Sequence, residues 1–201
     1  MIGIINTETG NINSISNVLK KTGFNYLISK NYKELTRCEK IIFPGVGNFD
    51  ACMKNLRKNS LDDVVKNLII KDKKKILCIC VGMQLLLNFS EEGDSEGLGI
   101  IDGYCKKFLK KEVNNVPHIG WAPIFSKHKI FQYNGDKDAK FYFCHSYHAK
   151  ITDKEVNIIS SNFNINFCAG FIKNNIVGVQ FHPEKSLNIG TNFLKKFIIN
   201  F

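Results

Sequence analysis

The chain reads as an α/β fold, with a mostly parallel central sheet flanked by helices and a β-rich second half. Three features predict it. As far as Leu87, short apolar runs alternate with stretches of helical periodicity. From Gly93 onward the runs stay short and helical periodicity is scarce until the C-terminus. The length of 201 residues, 44% hydrophobic, suffices for one well-buried domain over 1–201 and not comfortably for two.

In chain order, Ile2 to Ile5 is a short apolar strand ending in the loop NTETGN, after which Ile12, Ile15, Val18 and Leu19 share one helical face. Tyr26 to Ile28 and Lys40 to Phe43 give two more strands, the second running into Pro44-Gly45-Val46-Gly47-Asn48-Phe49. Phe49, Met53 and Leu56, then Leu61, Val64, Val65 and Leu68, make two further helical faces. Ile76 to Ile79 is apolar on both faces, and Gly82 to Leu87 opens a helix packing Leu85 and Leu86. This alternation implies a parallel sheet covered on both sides, with ligands at the carboxyl ends of its strands. In the second half, Ile100 to Phe108, Trp121 to Phe125, Lys140 to His145, Val156 to Ser160, Asn166 to Ile172 and Ile176 to Phe181 are strands bounded by turn residues. Ile189, Phe193, Leu194, Phe197 and Ile198 form a closing amphipathic helix, and Val113 to Pro117 and Ser126 to Asp138 are assigned as mobile loops.

The net charge of +10 comes mostly from scattered lysines; Arg37 and Arg57 are the only arginines. No aromatic-interleaved basic stripe accompanies it, which argues against a nucleic acid partner. No apolar run approaches a membrane span, and MIGIINTETG lacks the pattern of a signal peptide, so no membrane partner and a cytoplasmic location are expected. Seven cysteines without a CxxC pair point to free thiols and to no metal site or cofactor.

Cys80 stands where the apolar run KILCIC meets the helix-like VGMQLLL. A nucleophile on such a strand-to-helix corner is pushed into a cleft, with amides of the new helix turn aimed at whatever anion forms there. A buried core cysteine is the plain alternative. A thiol nucleophile needs a base, and five histidines are available: His118, His128, His145, His148 and His182. His182 follows an apolar strand and precedes Pro183-Glu184. In a locally extended backbone, His182 and Glu184 project to the same side, where the carboxylate raises the proton affinity of the imidazole. An ordinary surface turn would carry the same tripeptide. The glycines of the Pro44 to Phe49 loop permit a close backbone approach, so an amide near Val46 or Gly47 can join that of Val81 as an oxyanion hole; a Gly-rich strand-end turn is the alternative.

Together, Cys78-Ile79-Cys80-Val81-Gly82-Met83-Gln84, Gly178-Val179-Gln180-Phe181-His182-Pro183-Glu184-Lys185-Ser186 and Pro44-Gly45-Val46-Gly47 resemble class I glutamine amidotransferases with a Cys-His-Glu triad. Gly10-Asn11, Ser90-Glu91-Glu92, Pro117-His118-Ile119-Gly120-Trp121 and Phe141 to Tyr147 extend the likeness to the glutaminase subunits of imidazole glycerol phosphate synthases. The resemblance implies that Cys80 attacks the side-chain amide of L-glutamine to form a thioester, His182 shuttles the proton and Glu184 orients His182. It implies an oxyanion hole at Val46, Gly47 and Val81, substrate contacts at Gly45, Gln84, Ser146 and Tyr147, and no cofactor. It further implies a heterodimer with a (β/α)8-barrel synthase subunit that receives the ammonia, with Asn11, Trp121 and Lys185 at that interface and His118 near it. His145 and His148 are read as structural. Three positions depart from the family pattern: Cys78 stands where glycine is usual, Asn6-Thr7-Glu8 replaces Asp-Tyr-Gly, and Ala122 replaces the Asn after Gly-Trp. Two of these lie where the partner docks, so a paralogous glutaminase serving surface amino-sugar biosynthesis is the second reading. A non-catalytic amidotransferase-like binding module is the third.

Overall fold

The computed structural model describes residues 1–8, 10–132 and 139–201. Its first half is a run of strand and helix units: β1 (Ile2–Ile5), α1 (Ile12–Lys21), β2 (Tyr26–Ser29), α2 (Tyr32–Leu35), β3 (Lys40–Gly45), α3 (Phe49–Lys58), α4 (Leu61–Lys66), β4 (Lys75–Cys80) and α5 (Val81–Gln84). Between α4 and β4 the helix continues as a wider π-type turn over Asn67–Lys71. The second half carries β5 (Phe89–Ser90), β6 (Gly103–Lys107), β7 (His118–Phe125), β8 (Lys140–His145), β9 (Tyr147–Ile151), β10 (Asn157–Phe163), β11 (Ile165–Lys173), β12 (Ile176–Val179) and α6 (Leu187–Asn200).

The strand order is β2-β1-β3-β4-β12-β11-β10-β7-β8, with β5, β6 and β9 joined beside it. The contacts from β2 to β12 are parallel and the remainder of that path is antiparallel. The division follows composition. Strands β1 and β4 are apolar at nearly every position and buried on both faces, as a parallel sheet under helices requires. Strands β7 and β10 alternate between buried and open positions, as expected where one face meets solvent. One continuous core runs from Ile4 and Ile42 through Leu77 and Val177 to Phe141, Phe181 and Phe193. No described helix is long and apolar enough to cross a membrane.

Several sequence expectations are corrected. The helix expected over Gly82 to Leu87 stops at Gln84, because the segment behind it takes its carbonyls. Leu98, Gly99, Ile100 and Ile101 donate their amides to the oxygens of Leu85, Leu87 and Leu86, and the main chain turns away instead of winding on. Leu85 and Leu86 are still buried as expected. Strand β9 and helix α2 are absent from the sequence reading, and the strand expected from Ile100 begins only at Gly103. Of the two loops, the first has Val113 buried, its amide donating to Leu109 O in a turn. Ile130 and Phe131 form a buried 3₁₀ turn, with Phe131 stacked 5.2 Å from Phe193 of α6. Residues 133–138 of the second loop lie outside the described residues.

Candidate active site

Strands β3, β4 and β12 end side by side, and the candidate site sits on those ends. In register Gly45 lies opposite Cys80, and Val179 opposite Ile79. Cys80 itself has φ +53° and ψ −113°, a left-handed conformation that a non-glycine residue adopts only when its surroundings enforce it. Two glycines enforce it here. A Cβ on Gly82 would meet the Phe43 carbonyl oxygen at 2.3 Å, and one on Gly45 would meet the Gly82 nitrogen at 2.4 Å. Only without those side chains can α5 seat directly against the end of β3, so the chain turns sharply at Cys80. The turn leaves the sulfur at the edge of a cavity of about 180 Å³ lined by Val46, Gly47, Val81, Gln84, Ser146 and Tyr147, among others. Gly45, expected among the substrate contacts, does not line this cavity and packs against the helix start instead.

His182 and Glu184 arrive at the sulfur differently from the expectation. The chain is not extended through them, because Pro183–Lys185 forms a 3₁₀ turn that begins with an extended His182. The turn brings His182 Nδ1 within 2.8 Å of Glu184 Oε1. A carboxylate can only accept there, so Nδ1 donates and Nε2 is left for the sulfur. Burial favours a neutral imidazole, yet the charge and hydrogen bonding of Cys80, followed by those of Glu184, outweigh it and push His182 up to about 10. Its backbone is tied down as well. The His182 amide donates to Tyr142 O at 2.9 Å, and Ser186 Oγ donates to His182 O at 2.6 Å while accepting from the Tyr142 amide at 2.9 Å.

The remaining expected residues are gathered around this group. Asn11, expected at a partner interface, donates from Nδ2 to Glu184 Oε1 at 3.0 Å. It stands at the N-cap of α1 and makes no side-chain bond to the helix amides, its Oδ1 accepting from Ser14 instead. Lys185 lines the cavity. Trp121 is 45% exposed and packs edge-on to Tyr142, whose carbonyl holds His182. Gly47 has φ +105° with open space where a side chain would be. Cys78 faces the core, fully buried, and burial pushes its thiol up out of the reactive range.

The family described as "Glutamine amidotransferase class-I" matches residues 4–201. "Imidazole glycerol phosphate synthase subunit HisH" of Leptospira borgpetersenii is 42% identical over 201 residues, covering 98% of each chain. The protein of Methanococcus maripaludis named as HisH 2 of the same synthase is 38% identical over 199 residues, again covering 98% of each. The chain belongs to the class I glutamine amidotransferases. A solved glutamine amidotransferase has the same fold, with a TM-score of 0.71 at 14% identity, over 98% of this chain and 96% of that one.

Three residues of this amidotransferase site were not singled out from sequence. Glu92 is the one carboxylate lining the cavity among the described residues; its Oε2 accepts from the Phe49 amide at 2.8 Å, and burial raises its carboxyl. Gln180, fully buried, reaches the sulfur from Nε2 at 3.5 Å. Ser186 is the clamp described above. All three lie within motifs quoted for the family likeness, but only the fold shows what they touch.

His118, expected near the interface, points into the aromatic core. It is buried, stacks 4.0 Å from Phe163, and places Nδ1 3.1 Å from His145 Nε2. His145 Nδ1 in turn lies 2.7 Å from Tyr147 O, which must accept. Neutral rings satisfy this chain, with each Nδ1 donating. Burial is the leading cause that pushes His118 and His148 down to about 4 and His145 to about 3. Since unfolded histidines titrate near 6.5, the unfolded chain binds more protons over that interval. Stability held above pH ~6.5 is therefore lost as the pH falls towards ~3. His148 stacks 4.5 Å from Phe108 and leaves Nδ1 buried without a partner, so His148→Phe should fold. Urea denaturation of that variant is expected to show a shallower acid limb by about one proton, or about 1.4 kcal/mol per pH unit. An unchanged slope would mean that His148 is not buried as a neutral ring.

Proposed function

We propose that the chain, acting as one domain over 1–201, is the glutaminase subunit of an imidazole glycerol phosphate synthase in histidine biosynthesis. It hydrolyses L-glutamine and passes the ammonia to a synthase subunit. The observation that carries this is the Cys80, His182 and Glu184 arrangement at the carboxyl edge of the sheet. Full-length likeness to HisH subunits adds the pathway.

In this reading, Cys80 Sγ adds to the glutamine amide carbon and the amide nitrogen leaves as ammonia with the proton of His182. Water then adds to the thioester with His182 as base, glutamate departs, and the sulfur regains its electron pair. Backbone amides at Val46, Gly47 and Val81 would receive the oxyanion once the loop is in place. Glu92 and the Gln84 carbonyl suit the substrate ammonium, and the Ser146-Tyr147 main chain suits its carboxylate.

The synthase is proposed to be a (β/α)8 barrel forming a heterodimer over Asn11, Trp121 and Lys185. That surface is contiguous with the triad, since Asn11 bonds Glu184 and Trp121 packs on Tyr142. Cytoplasmic residence follows from the same assignment.

Reconstitution with the barrel subunit tests the pathway. Glutamine should drive imidazole glycerol phosphate formation, and glutamine hydrolysis should rise at least about tenfold when the partner holds its acceptor, if a peptide flip in the Pro44 to Gly47 loop is the switch. Ammonia delivered only to an amino-sugar precursor would instead establish the second reading.

A further inference from the structure

Two buried side-chain amides lie between the main chain at Tyr147 and the sulfur. Gln84 Nε2 is 3.2 Å from Tyr147 O and 2.8 Å from Gln180 Oε1, and Gln180 Nε2 is 3.5 Å from Cys80 Sγ. Their orientation follows from donor and acceptor chemistry. Tyr147 O can only accept, so Gln84 turns its NH₂ towards it and spends both protons, one on Tyr147 O and one on Gln180 Oε1. Gln180 has then used its oxygen and presents its NH₂ to the sulfur. Flipping Gln84 would set its oxygen against those of Tyr147 and Gln180, and flipping Gln180 would set two NH₂ groups against each other; in a buried site either costs more than any bond it would form. The same Tyr147 oxygen is held by His145 Nδ1 at 2.7 Å, so the start of the relay is fixed from a second side.

Resting on the reading of Cys80 as nucleophile, we propose that Gln180 is a further catalytic residue, its amide fixed by Gln84 and Tyr147 so that it donates to the sulfur whenever the sulfur carries negative charge. The consequence differs between the two half-reactions. In acylation negative charge leaves the sulfur as the C–S bond forms, so the donor at Sγ is needed less in that transition state than before it. Deacylation must create that charge: water's oxygen joins the carbonyl carbon, its proton passes to His182, and the C–S electron pair returns to Sγ. A preorganised donor at Sγ favours the second step more than the first.

The full chain with its partner synthase, supplied with L-glutamine, tests this. Gln180→Leu removes the donor at similar volume, and Gln180→Glu keeps the acceptor for Gln84 while replacing the donor with an oxygen. Both are expected to lower kcat roughly 10- to 100-fold, the scale of a lost hydrogen bond to a charged group. KM should not rise, and a glutamyl thioester should accumulate on Cys80 in acid-quenched samples read by mass spectrometry. Either variant suffices if the other does not fold. Unchanged kcat, or a raised KM without accumulated thioester, would overturn the proposal and leave the amide pair as packing. Cys80→Ala separates the two levels, because hydrolysis persisting in that variant would remove the nucleophile reading itself.

Discussion

Replacing Cys80 with alanine is expected to lower glutamine-dependent turnover by roughly 10⁴- to 10⁶-fold while leaving ammonia-dependent synthesis by the complex near its original rate. The size of the loss reflects what the corner provides. Cys80 is held at φ +53° by the contact of Gly45 and Gly82, so no neighbouring thiol can take its place. Cys78 is two residues away and wholly buried, on the strand behind the corner. Cys144 is exposed and lines the same cavity, whereas His182, the histidine held by a carboxylate, is set against Cys80. Cys78→Ala should therefore keep glutaminase activity, with at most a modest loss of stability from an underfilled core. The pair of variants is read in one assay, by glutamate release with glutamine and product formation with ammonium. Equal loss in both would displace Cys80 as nucleophile.

Much of this was legible in the sequence where one local rule decides the outcome. Strands β1, β3 and β4 are continuous apolar runs because a parallel sheet buries both of their faces. The corner at Cys80 is marked by the change from a strand-like to a helix-like run, and the triad by ordered motifs. What was hidden depends on distant partners. Nothing within Gly82 to Leu87 announces that residues 98–101 will claim its carbonyls and end the helix. Tyr147–Ile151 has no strong apolar pattern and becomes a strand through its neighbours β6 and β11. Asn11 enters the sequence reading only as an interface residue, and its bond to Glu184, 173 positions away, is visible only in the fold. Alternation along β7 turns His118 into the aromatic core while Ile119 and Trp121 stay open, a division that pairing with the neighbouring strands imposes. His182 and Glu184 share a side for a reason other than the expected one, since the proline starts a 3₁₀ turn.

That turn makes Glu184→Gln the second informative substitution. The side chain of Glu184 is almost wholly buried; its Oε1 accepts from both His182 Nδ1 and Asn11 Nδ2, and its Oε2 has no partner among the described residues. A glutamine can keep its oxygen facing those two donors and put its NH₂ at the unpartnered position. Ring orientation and tautomer are then retained, and what is lost is the charge. Burial already opposes the charged imidazole, and only Cys80 remains to counter it. The His182 pKa, about 10 with the carboxylate in place, is expected to fall towards the neutral range. Turnover should drop roughly 10²- to 10⁴-fold, as in triads that lose their orienting carboxylate. The sign for stability follows as well. A raised histidine pKa adds stability that is fully present below pH ~6.5 and is lost as the pH rises through about 10. In Glu184→Gln that alkaline loss should begin at lower pH and be smaller. Nitrogen-15 NMR of the His182 ring, followed through the titration, reads both effects at the atom concerned. A ring that keeps its proton above pH ~8 in the variant would show that Cys80 alone holds the charge and that Glu184 serves only to orient.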